Sequence, residues 1–136
     1  LLILVRRGRD DHLRQLQRIA RPGSSVFLVS DFHDALTAEA IENFRRLSRH
    51  VQLTAVAISD PLEQQLPRAG RYVIADQLGR SSLDTSSEPL RARYRDDYLQ
   101  ARNNLLAMLQ SLRIPMLELS TAAPPLAVLQ RYFPGR

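Results

Sequence analysis

A chain of 136 residues has room for one domain with a self-sufficient core, and the absence of cysteine excludes disulfides, thiolate catalysis and cysteine-based zinc sites. The net charge of +5 comes from 19 basic residues, all of them arginine, set among 14 acidic ones. The arginines are scattered and no aromatic residues alternate with them, which argues against a nucleic-acid-binding strip.

The N-terminal apolar run, Leu1 to Val5, is far shorter than the ~20 residues of a membrane span. Its five residues do not decide between strand and helix. Opening on this run without a methionine, the chain reads as part of a longer protein, cytoplasmic in this segment and with any membrane anchor placed upstream. From Asp10 to Ala20, the spacing of Leu13, Leu16, Ile19 and Ala20 predicts a helix, closed by Pro22-Gly23.

Val26-Phe27-Leu28-Val29-Ser30-Asp31 follows, an apolar run with the character of a parallel strand covered on both faces. Thr37 caps a helix to about Arg49, with Ala40, Ile41, Phe44 and Leu47 on its apolar face. A second buried strand, Leu53 to Ile58, ends on Ser59-Asp60, so a right-handed crossover places both Ser-Asp ends on one sheet edge. Asp60-Pro61-Leu62-Glu63 reads as the start of a short helix: N-cap aspartate, proline at the first helical position and an acid at N3.

Arg71 to Ala75, the turn Asp76-Gln77-Leu78-Gly79 and Arg80 to Asp84 predict a β-hairpin insertion. Glu88-Pro89 starts a long helix to about Arg113, carrying Leu90, Tyr94, Tyr98, Leu105 and Leu109 on one seam. A third strand, Met116 to Leu119, ends on Ser120-Thr121, and Pro124-Pro125 opens a last helix through Leu126, Leu129 and Phe133. The expected fold is a single α/β domain over residues 1–136, a mostly parallel Rossmann-like sheet flanked by helices.

In such sheets ligands bind outside the carboxyl ends of the strands, which singles out Ser30, Asp31, Asp60 and Thr121. A strand-end carboxylate with a hydroxyl beside it can hold Mg2+ or Mn2+; the competing reading is an aspartate that satisfies loop N–H groups. For Asp60 a helix cap explains the same residue, and Thr121 reads as a helix or turn cap. Asp31, His33 and Asp34 form a second metal combination, although His12, His33 and His50 have no ligand spacing. Tyr94 and Tyr98 read as packing residues, and Arg91, Arg93, Arg95 and Arg102 as a solvated face. No glycine pattern supports a dinucleotide or P-loop site, and no G-x-S-x-G is present.

Ser30-Asp31-Phe32 after an apolar strand, Ser59-Asp60-Pro61 with Glu63 and Leu66-Pro67, the hairpin around Asp76 and Gly79, and Leu119-Ser120-Thr121 together resemble the von Willebrand factor A-like proteins that accompany MoxR-type AAA+ ATPases in bacteria. The resemblance implies a protein-interaction domain, of which this chain is the C-terminal part, in which a metal-ion-dependent adhesion site sits at the strand ends, with Asp31 at the position of its late aspartate. The Asp-x-Ser-x-Ser loop of that site does not occur here, Thr121 does not match its threonine loop, and Phe32 stands where many adhesion domains have glycine. The expected function is a non-enzymatic interaction module presenting Asp31, Phe32, His33, Asp60 and Thr121 to a partner such as a MoxR-like ATPase. The alternatives are a magnesium-dependent hydrolase using Asp31 and Asp60, and arginine-mediated nucleic-acid binding.

Overall fold

The computed structural model describes residues 2–4, 11–33, 35–76 and 79–133. Leu1, Val5, Asp10, Asp34, Gln77 and Leu78, which figure in the expectations above, lie outside this range. Four parallel strands form the main sheet in the order β1 (Leu2–Leu4), β2 (Ser25–Ser30), β3 (Gln52–Ser59) and β6 (Met116–Ser120). The run at the N-terminus is therefore an edge strand, with Leu2 opposite Phe27 and Leu4 opposite Val29.

Helices α1 (Asp11–Ile19) and α2 (Ala38–Ser48) fill the first two crossovers. Strand order follows chain order here, so right-handed crossovers bring these helices to the same face of the sheet. The core confirms the placement: Leu16 of α1 and Phe44 and Leu47 of α2 pack with Val26, Leu28, Leu53 and Ala55, all almost fully buried. Thr37 caps α2 as expected, its hydroxyl accepting from Ala40 N at 3.1 Å.

The third crossover is the long one. It holds α3 (Pro61–Gln64), the antiparallel hairpin β4 (Arg71–Asp76) and β5 (Gly79–Asp84), and α4 (Glu88–Ser111). Only the C-terminal half of α4 reaches the core, through Leu105 and Leu109. Leu90 and Leu99, in its first half, are exposed, and Tyr94 there donates its hydroxyl to Leu62 O at 3.1 Å, tying α4 to α3.

The base of the hairpin is fastened by Thr85, which is fully buried and donates to Arg68 O at 2.8 Å, with Gly70 O at 3.1 Å. Arg91 reaches back to donate to Thr85 O. Arg102 does not belong to the solvated face expected for it. Its side chain is only 14% exposed, pairs with Glu118 at 3.1 Å and lies over the Tyr98 ring at 5.8 Å, because this turn of α4 already faces β6.

At the end of α4 the backbone of Arg113 turns left-handed (φ 58°), and Ile114 N donates to Leu109 O at 2.9 Å. This is a Schellman stop, closed by the buried contact partners Ile114 and Leu109. On the far face of the sheet, Val56 and Leu117 are register partners, each 4% exposed. Phe27 meets Phe133, just beyond α5 (Pro125–Tyr132), with ring centroids 5.6 Å apart.

Candidate functional site at the strand ends

The carboxyl ends of β2, β3 and β6 lie along one edge, but their register is staggered. Ser30 is level with Ala57, whereas Ser59 is level with Ser120. Carrying the β2 register one step further puts Asp31 level with Ile58, two residues short of Asp60. The stagger divides the sequence-predicted residues into two groups.

Asp60, Thr121 and Ser59 form the first group. Thr121 donates its hydroxyl to Asp60 Oδ2 at 2.6 Å, and Leu62 N donates to Oδ1 at 2.9 Å. Asp60 is thus the expected N-cap of α3 and at the same time a latch to the end of β6. Both bonds favour the carboxylate, so the Asp60 carboxyl is held below its usual range, first by the Thr121 hydroxyl and then by the Leu62 amide.

The role of Thr121 differs from the cap expected for it: α5 begins behind Pro124 with no side-chain cap, and the threonine hydroxyl crosses to the neighbouring strand end. The backbone repeats the link, Thr121 N donating to Ser59 O at 3.0 Å. Ser59 is buried and accepts from Gln64 Nε2 at 3.0 Å. Gln64 was not legible as part of this edge, since nothing in a short polar stretch marks which glutamine turns inward.

Asp31, Ser30, Phe32 and His33 form the second group. His33 N donates to Asp31 Oδ1 at 3.2 Å, Ser30 Oγ approaches the same oxygen at 3.4 Å, and Phe32 N donates to Ser30 Oγ at 3.1 Å. The loop is tightly wound because Phe32 takes a left-handed conformation (φ 56°) that glycine adopts without strain. Phe32 is kept there by packing, its ring 6.2 Å from that of Phe44 and set against the core. His33 is exposed.

Among the described residues, no group of three or more His, Asp or Glu side chains is placed to hold a metal ion. Asp31 and Ser30 would be the ligands this edge contributes to Mg2+ or Mn2+. Magnesium demands near-octahedral oxygen coordination, so these two side chains do not make a complete site, and the other positions would have to come from water or a partner. Among the described residues no helix is long and apolar enough to cross a membrane.

Residues 8–104 match a family model described as Protein of unknown function DUF58. No curated protein and no solved structure matches the chain.

Proposed function

The chain belongs to the DUF58 family, and from its strand-end edge we propose a non-enzymatic protein-interaction module of von Willebrand A type, with a partner such as a MoxR-like AAA+ ATPase. The observation that carries this reading is the engagement of Asp60, which uses both oxygens to bind Leu62 N and the Thr121 hydroxyl. A hydrolase that shares one ion between Asp31 and Asp60 would have to bring together two carboxylates that the register sets two residues apart. An edge latched in this way instead offers a fixed surface, to which the Asp31 loop adds the exposed His33. In this reading Mg2+ or Mn2+, where bound through Asp31 and Ser30, has its shell completed by an acidic residue of the partner.

The test has two arms. Association of the chain with a MoxR-type ATPase, measured by calorimetry with and without magnesium, should weaken at least about tenfold in Asp31→Ala, the scale of one lost charge-assisted contact. The same titration with Asp97→Ala, an exposed carboxylate of α4 that pairs with Arg93, should be unchanged. Equal binding by wild type and Asp31→Ala would overturn the strand-end assignment. Tight association with duplex DNA that falls steeply with salt would favour the arginine-mediated reading instead.

A further inference from the structure

The hairpin is a two-stranded sheet of its own, and among the described residues neither of its outer edges pairs with another strand. A bare two-stranded ribbon is marginal in water, and an apolar edge strand is a template for further pairing. The two edges differ in this respect. β5 is polar and carries Arg80, Ser82 and Asp84, whereas β4 runs Tyr72-Val73-Ile74-Ala75, with Val73 72% and Ile74 45% exposed.

The register decides which backbone groups face outwards. Thr85 N donates to Gly70 O at 2.9 Å, one step beyond the pair Arg71 and Asp84, so Gly70 turns its carbonyl towards the strand opposite. Antiparallel pairs alternate, so Tyr72 and Ile74 also bond across the hairpin, and Arg71, Val73 and Ala75 direct their N–H and C=O groups outwards. This edge is held in place before any partner arrives. Thr85 fastens its base, and the Tyr72 hydroxyl, donating to Arg68 O at 2.8 Å, lays the ring along Gly70, where a Cβ would meet it at 3.4 Å.

We infer that β4 pairs antiparallel with β4 of a second copy of this chain, about a two-fold axis at Val73, joining two hairpins into one four-stranded sheet. The edge is self-complementary, as a two-fold interface requires. With the axis at Val73, all three outward residues pair: Val73 with Val73 of the second copy, and Arg71 with Ala75 of the second copy, twice over. Tyr72 then lies opposite Ile74 of the second copy, an aromatic beside a β-branched side chain, and no like charges meet. Moving the axis to either side drops one of the three pairs, and an axis at Arg71 sets two arginines opposite each other. The β5 edges, with Arg80 and Asp84, lie on the outside and are blunted by charge, so assembly closes at two copies. About five paired residues per copy fall well short of the ~20 on each side of a standard interface, so the dimer forms at high concentration and dissociates on dilution.

The test is a dilution series of the full chain, followed by sedimentation and NMR. The mass should rise from one chain to two with concentration. A mixture of labelled and unlabelled chain should show contacts between the Hα atoms of Tyr72 and Ile74 in different copies, which lie close in a non-hydrogen-bonded pair. Val73→Lys, at an exposed site, should weaken dimerisation at least about tenfold by setting like charges opposite each other. Ser82→Lys, directly across the hairpin on the other edge, should leave it unchanged. Mixing Val73→Lys with Val73→Asp should restore association, since an axis at Val73 puts those two side chains face to face. A wild-type chain that stays monomeric, a Val73→Lys dimer as tight as wild type, or no association in that mixture would overturn the inference. Dilution shifts confined to the exposed Leu126, Tyr132 and Phe133 would overturn it too, by placing the contact on α5.

Discussion

At the scale of single residues, the bond between Thr121 and Asp60 gives the sharpest expectation. The Asp60 carboxyl is depressed in the folded chain, so its contribution to stability is fully present above the ordinary carboxylate pKa and is lost as pH falls through the lower folded value. Thr121→Val removes the main cause. The Asp60 carboxyl should then titrate closer to the ordinary range, read from its side-chain carbon resonance, and the melting-temperature gap between wild type and variant should close as the pH is lowered through that window. An unmoved titration would mean the hydroxyl bond is not maintained in solution. A sequence reading reaches Asp60 and Thr121 as two separate caps, because capping is a local pattern. Their bond spans 61 positions and depends on the register that ends β3 and β6 level with each other, which no local pattern carries. Phe32 was legible as a strand-end residue and as a departure from glycine, but not as a core contact. Its positive φ explains why glycine suits that place, and the Phe44 contact explains why phenylalanine is tolerated.

For the elements, the clearest feature is the way α4 begins and ends. Its stop places Arg113, an exposed residue, in a left-handed conformation that disfavours side chains by about 1 kcal/mol or more. Arg113→Gly should therefore raise stability by roughly 1 kcal/mol in urea titration, with the slope unchanged. A loss of stability would show that the arginine contributes through its side chain. At the other end, Thr85→Val keeps the shape of a fully buried residue but removes the hydroxyl donor from Arg68 O and Gly70 O, which keep the Tyr72 hydroxyl and Thr85 N, a cost of about 0.5–1.5 kcal/mol. Faster amide exchange confined to β4, β5 and the first turns of α4 would locate that cost at the hairpin base. The hairpin itself was visible in the alternation and in Gly79, whereas its anchor was not, since a threonine in Thr-Ser-Ser reads as loop. Arg102 was misplaced for a related reason: charge pattern describes a helix face, and only the sheet decides which turn of a 24-residue helix faces inward.

For the whole molecule, the buried runs of β2 and β3, and the helix between them, were the most legible part, because length, β-branching and helical spacing agree there. These elements also hold the centre of the core. Leu28→Ala, at a side chain 1% exposed, should cost about 2–5 kcal/mol, well above the cost of any surface change, in equilibrium denaturation. A comparable result at the half-exposed Leu36 would contradict this placement of the core. The chain distances between neighbours carry a further consequence, for the order of folding. β2 and β3 are joined by one short crossover, whereas β3 and β6 are neighbours across the whole excursion from Asp60 to Pro115. Contacts between distant segments close late, since the ordering cost of the chain between them falls due before they form. The Asp60–Thr121 bond is such a contact. Thr121→Val should accordingly speed unfolding and leave the refolding rate nearly untouched, so that the latched strand-end edge exists only once the last strand has docked.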